Sequence, residues 1–184
     1  MRLFAALPLP APVVDALAAQ ASAWRDTGWP VRWVAPASLH VTLRFFGEVP
    51  PIAETPLRDM LDGAARGTGL LVLEPVAFRA VPPGRRARLL WLELAAEPAL
   101  ELLAHRVERG AAALGFEPAR ETFRPHVTLA RVRQGERLPA AAARHVEAAA
   151  VPPAFDAGEL VLYESRLGAG APRYVRRHAS PLAA

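Results

Sequence analysis

The chain has no cysteine and no lysine. Without thiols there is no disulfide, no thiolate nucleophile and no cysteine-held metal. All 22 basic residues are therefore arginine, and guanidinium groups alone supply the side-chain positive charge behind the net +4. No apolar run approaches the roughly 20 residues that span a bilayer. The Met1–Leu7 start lacks the charged region, long apolar region and cleavage site of a leader. The expectation is a cytoplasmic protein without membrane contact. A glycine-rich phosphate loop, a His-Glu-x-x-His zinc helix and a Gly-x-Ser-x-Gly elbow are also missing, which removes the commonest nucleotide, metalloprotease and serine-hydrolase signatures.

What is present is a tetrapeptide that occurs twice, His40-Val41-Thr42-Leu43 and His126-Val127-Thr128-Leu129. Each copy lies in an alternating run, and strand side chains alternate between faces, so His and Thr share one face while Val and Leu take the other. In the first copy the apolar side reads Leu39, Val41, Leu43 and Phe45, and the opposite side Ser38, His40, Thr42 and Arg44. In the second, Phe123, Pro125, Val127 and Leu129 face the core, leaving Arg124, His126 and Thr128 on the other side. A single His-x-Thr is ordinary decoration of an edge strand. Packing would explain the recurrence of Val and Leu, but not of an imidazole and a hydroxyl on the outward face.

With 184 residues, 52% apolar and 22% charged, the chain suits one soluble domain with room for two lobes. Met1–Leu7 reads as a strand stopped by Pro8 and Pro10. Pro12 then opens a helix to about Trp24 with Val13, Leu17, Ala21 and Trp24 on one stripe. Val31–Val34 is a candidate strand before the first tetrapeptide. Thr55-Pro56 reads as the cap and first turn of a helix carrying Leu57, Met60, Leu61 and Ala64. Leu70–Val81 reads as one strand with a bulge or edge at Pro75, and Leu89–Leu94 as a short buried strand. Pro98–Leu114 is the clearest helix, stopped by Gly115, with His105 off its apolar face. After the second tetrapeptide come an alanine-rich helix, Pro139 to about Ala150, which contains His145, and two closing strands, Phe155–Ser165 and Pro172–His178, joined through Gly168-Ala169-Gly170. His178 receives no role. Adjacent strands interleaved with helices predict an α+β fold with antiparallel pairing.

The paired His-x-Thr-x motifs resemble those of the two-histidine (2H) phosphoesterase superfamily. More narrowly, the chain is similar to the bacterial and archaeal RNA 2′,3′-cyclic phosphodiesterases, historically called 2′-5′ RNA ligases. The likeness runs from Met1-Arg2-Leu3-Phe4 through Leu39–Leu43 into Phe46-Gly47-Glu48-Val49, Arg88–Leu92 and Phe123–Arg131, to Leu162-Tyr163-Glu164-Ser165 and on through Tyr174 to Pro181-Leu182. It implies a bilobal, pseudo-twofold α+β domain over 1–184 in which two mainly antiparallel sheets flank a cleft and each lobe brings one motif. The histidines are 126 − 40 = 86 residues apart, which suits that division. The resemblance also places a phosphate-holding arginine at Arg131. Regular alternation would send Arg131 to the Val127 side unless a bulge or the strand end reverses it, whereas Arg124 has the right parity.

Opening a cyclic phosphate needs a proton taken from water, another given to the departing ribose oxygen, and neutralisation of the phosphoryl oxygens. Two imidazoles and two hydroxyls supply these, each acid or base role being worth about 10² to 10⁴ in rate. The resemblance makes His40 the proton donor and His126 the proton acceptor; Thr42 and Thr128 would donate hydrogen bonds to nonbridging oxygens. The substrates implied are RNA with 2′,3′-cyclic phosphate ends or small cyclic nucleotides, the product a 2′-phosphomonoester, and the acting form a monomer. No cofactor is expected. No metal is either, since no carboxylate recurs beside both histidines. Ligation in the reverse direction and a nonenzymatic RNA- or nucleotide-binding module stay open as alternatives. Arg85, Arg86 and Arg88, after Pro82-Pro83-Gly84, admit two readings, a solvated loop or an RNA contact.

Overall fold

A computed structural model describes residues 1–83, 86–166 and 172–182. The first strand, β1 (Arg2–Pro8), buries Leu3 to Leu7 on both faces and stops where prolines remove the ladder donors. Helix α1 (Ala11–Arg25) follows, with Pro12 in its first turn and Val13, Leu17, Ala21 and Trp24 buried at helical spacing, as the pattern predicts. Short β2 (Val31–Trp33) and one 3-10 turn, Pro36–Ser38, lead into β3 (His40–Glu48). Then come α2 (Glu54–Ala65), β4 (Leu71–Leu73), β5 (Pro75–Val81), β6 (Leu89–Leu94), α3 (Pro98–Ala113) and β7 (His126–Val132). The chain closes through α4 (Ala140–Glu147), β8 (Phe155–Ala157), β9 (Glu159–Arg166) and β10 (Arg173–Pro181).

The fold is α+β, as expected, and every recorded strand pair is antiparallel. The order β10-β9-β1-β3-β7-β6-β5, with β2 also beside β7, makes one long sheet, while β4 and β8 pair separately. The centre of that sheet is narrow. Strands β3 and β7 meet at a single recorded pair, Val41 with Val127, the second residue of each tetrapeptide. A half built on β1 and β3 thus joins a half built on β6 and β7 at the middle of both motifs.

The helices cross between the halves. Helix α3 follows β6 yet packs on β3 and α2. Helix α1 follows β1, but Trp24 at its end lies edge-on to Phe78 of β5, ring centroids 5.1 Å apart. Helices α2 and α4 stay beneath β9–β10 and β5 respectively. One contiguous apolar core runs under both halves, including Leu17, Leu57, Leu61, Leu100, Leu103 and Val107. Truncating one such fully buried leucine to alanine costs about 2–5 kcal/mol.

Several boundaries differ from the sequence reading. Helix α2 begins at Glu54 rather than after a Thr55 cap, because the 3-10 turn Pro51–Ala53 already delivers helical backbone and no side chain caps it. The Leu70–Val81 stretch divides at Glu74, since Pro75 has no N–H to continue the ladder, and the first piece leaves to pair with β8. Phe155–Ser165 divides likewise at Gly158. Leu114, expected on the apolar face of α3, is its exposed cap residue. His105 and His145 are on the surface as expected, the latter lying edge-on to Trp29. The Gly168–Gly170 connection lies outside the described residues.

Candidate active site

The single bridge between Val41 and Val127 sets the geometry. Continuing that antiparallel register by one residue each way puts His40 across from Thr128 and Thr42 across from His126. The structure therefore brings together the four residues that the repeated tetrapeptide singles out. Each histidine is anchored in the same way: Nδ1–H of His40 donates to the Ser38 carbonyl at 2.8 Å, and Nδ1–H of His126 to the Arg124 carbonyl at 2.7 Å. A carbonyl only accepts, so the proton of the neutral ring sits on Nδ1 and the Nε2 lone pair is left for other work. In His40 that lone pair accepts from the Thr42 hydroxyl at 2.9 Å.

Aromatic rings wall the imidazoles. Phe4 lies 5.0 Å from His40 between centroids, with Tyr174 edge-on at 5.3 Å, and Trp91 lies 4.2 Å from His126. This setting disfavours charge on either ring. Burial pulls the His40 pKa down to about 4 against the opposing Ser38 hydrogen bond, with His126 and Arg131 adding repulsion. Burial also lowers His126, against the Arg124 hydrogen bond, with Arg131 lowering and Glu121 raising it. Both imidazoles are thus poised neutral, with His40 Nε2 on the Thr42 hydroxyl.

The parity conflict over Arg131 resolves through a bulge. Opposite β6, Thr128 pairs with Trp91 and Ala130 with Leu90, so Leu129 is the extra residue. Alternation restarts after it, Ala130 turns to the core, and Arg131 comes out on the face of His126 and Thr128. The first tetrapeptide does the same. Against β1, Thr42 pairs with Ala6 and Arg44 with Ala5, leaving Leu43 as the bulge. This corrects the expected faces: Arg44 turns to the helix side, where its Nε is 3.1 Å from Glu108 of α3, while Phe45 emerges on the histidine face, 60% exposed.

A recess of about 330 Å³ on the far side of the rings that wall His40 has Arg2, Phe4, Phe45, Arg131, Ser165 and Tyr174 in its lining. Another, of about 390 Å³, has Thr42, Phe45, Glu121, Thr122, Arg124 and His126 among its walls. Arg124 therefore meets the site twice, through its carbonyl under His126 and as part of the wall of this recess. Arg86 and Arg88 are exposed, and Arg85 lies outside the described residues. Among the described residues no group of three or more His, Asp or Glu is placed to hold a metal.

Sequence reasoning missed the aromatic wall of Phe4, Phe45, Trp91 and Tyr174. Its only signal was that three of these rings, Phe4, Trp91 and Tyr174, sit in stretches of family likeness. It also missed the partner of His178, whose Nε2 is 2.7 Å from Asp62, a carboxylate that accepts from Ser180 as well and ties β10 to α2 away from the cleft.

The family model of the 2'-5' RNA ligase superfamily matches residues 13–169. An RNA 2',3'-cyclic phosphodiesterase of Geobacillus stearothermophilus is 31% identical over 181 residues, 97% of this chain; the chain spans 56% of that relative's length. The crystal structure of a Thermus thermophilus protein superposes with a TM-score of 0.80 at 26% identity, covering 99% of this chain and 98% of that one. Escherichia coli LigT complexed with 3'-AMP superposes with a TM-score of 0.71 at 29% identity, covering 98% and 97%.

Proposed function

The chain belongs to the 2'-5' RNA ligase superfamily, and we propose that it hydrolyses RNA 2′,3′-cyclic phosphate ends to 2′-phosphomonoesters by acid–base catalysis between His40 and His126. The observation that carries this reading is the matched anchoring of the two rings, Nδ1–H to the carbonyl two residues back, which leaves Nε2 of each ring, one from each half, for the same cleft. His126 Nε2 takes a proton from water as its oxygen attacks phosphorus. The bond to the 3′-oxygen breaks on the opposite side, and His40 Nε2–H supplies the proton that oxygen needs. Thr42 and Thr128 donate to the nonbridging oxygens, and Arg131, with Arg124 at the rim, holds the anion. Since both imidazoles resist protonation in the free protein, the substrate's own negative charge loads the acid, by favouring an imidazolium held against it.

The nucleoside lies against the aromatic wall at Phe45 and Tyr174, a surface suited to a base's π-face. The two halves work as lobes of one domain, each contributing one His-x-Thr. One chain supplies both motifs, so a monomer carries the whole cleft. Among the described residues no helix is long and apolar enough to cross a membrane, and we place the activity in the cytoplasm.

The test is phosphorus NMR of the product from an oligoribonucleotide ending in 2′,3′-cyclic phosphate, with and without EDTA. A 2′-phosphate alone, formed equally well under chelation, is expected. A 3′-phosphate or a mixture would overturn the single orientation. Loss with EDTA that zinc or manganese restores would replace acid–base chemistry by a metal-dependent route. Joined RNA ends would make ligation the activity, and tight binding without turnover would leave a binding module.

A further inference from the structure

Arg32 stands directly opposite Arg131 in the β2–β7 ladder. Residues paired across antiparallel strands share a face, so the Arg32 side chain leaves the sheet on the cleft side, next to that of Arg131. The flanking backbone bonds, Val34 N–H to the Leu129 carbonyl at 2.8 Å and Arg133 N–H to the Pro30 carbonyl at 2.9 Å, make this a hydrogen-bonded position, with Cα atoms about 5.5 Å apart. Both arginines are exposed. Among the described residues, the arginine ion pairs engage Arg44, Arg58, Arg79, Arg166, Arg176 and Arg177, and neither Arg32 nor Arg131 has a carboxylate partner.

Like charges directly opposed weaken a strand pair, and β2 has only three residues with which to offset the repulsion. An anion between or beside the two guanidinium groups removes that penalty. Arg131 is close enough to act on both imidazoles, and in the hydrolase reading it holds the reacting phosphate. Arg32 is one strand further out, on the strand that lies along the C-terminal half of β7, beyond the β3 bridge. A guanidinium fork there fits a second phosphate, one linkage removed from the first.

We propose that Arg32 binds the phosphodiester immediately upstream of the cyclic phosphate, so that the protein selects RNA ends over cyclic mononucleotides, which lack that linkage. The proposal rests on the hydrolase reading for its substrate, and its test separates the two. The wild type should have a higher kcat/KM for a trinucleotide 2′,3′-cyclic phosphate than for the mononucleotide, and Arg32→Ala should cut that ratio about tenfold. Arg32→Lys, which keeps the charge, should retain part of it. A trinucleotide whose upstream linkage is a neutral methylphosphonate should respond equally to wild type and Arg32→Ala.

Binding supplies a readout independent of turnover. Fluorescence anisotropy of a labelled trinucleotide bearing a terminal 2′-phosphate, taken between 50 and 200 mM salt, should show a log–log slope shallower by about 0.7 in Arg32→Ala, as for one lost contact to single-stranded nucleic acid. If the wild type turned over no cyclic phosphate, the hydrolase reading would fall while this slope still measured the contact. An unchanged slope overturns the proposal. So does an equal loss of kcat/KM on mononucleotide and trinucleotide, which would put Arg32 at the reacting phosphate instead.

Discussion

Phe45 and Arg131 occupy matching places in the two halves, each two residues past the bulged leucine of its tetrapeptide and each returned by that bulge to the histidine face. One half of the cleft thereby presents an exposed ring and the other a cation. In the proposed reading, this difference lets a nearly twofold site tell a nucleoside from a phosphate and hold its substrate one way round.

Phe45→Ala removes a 60% exposed side chain and should leave stability nearly unchanged. If the ring carries a base, KM should rise about tenfold with kcat held, and Phe45→Trp should restore it. Steady-state kinetics on a cyclic mononucleotide decides. A fall in kcat at constant KM would remove Phe45 from substrate binding.

His40→Ala and His126→Ala should each lower turnover by at least about 10²-fold while the circular dichroism spectrum stays native, because each ring supplies one proton transfer and neither belongs to the apolar core. Either variant turning over at near the wild-type rate would sink the two-histidine mechanism.

Burial of His40 makes stability depend on pH. Its ring titrates at about 4 in the folded protein against about 6.5 in the unfolded chain, so between those values only the unfolded chain takes the proton. The stabilisation is complete above pH 6.5 and is lost as pH falls from there through 4, by roughly 3 kcal/mol in all, with His126 acting in the same direction. Urea unfolding at pH 7.5 and pH 5 should show this decline, and it should be smaller in His40→Asn. The same two rings place the bell of kcat/KM, which reports free protein, on the acid side of pH 6.5, with the kcat profile displaced upward by the bound anion. A kcat/KM optimum above pH 8 would contradict both the burial and the roles.

Gly110 lets α3 approach α2, since a Cβ there would meet the Met60 side chain. Gly110→Ala should destabilise by about 1–3 kcal/mol although alanine is the better helix former, and adding Met60→Ala should recover part of the loss. Thermal melts of the single and double variants check this, and a stabilised Gly110→Ala would show that Met60 yields without cost.

Much of the molecule was legible because it depends on neighbours along the chain. Alternation in the two tetrapeptides placed His40 with Thr42 and His126 with Thr128. Apolar residues every three or four positions drew α1 and α3, with Pro12 and Gly115 marking a start and a stop. Only the tertiary structure decided the rest of the cleft. Alternation counts residues on one strand, whereas a bulge is defined against the partner strand, so nothing in Leu43 or Leu129 announces that β1 and β6 skip them. Those two skips exchange Arg44 for Phe45 and carry Arg131 to the histidines. Likewise, Arg32 looked like any surface arginine until the ladder set it opposite Arg131, because cross-strand register is a relation between residues 99 positions apart, from 131 − 32, that no local pattern encodes.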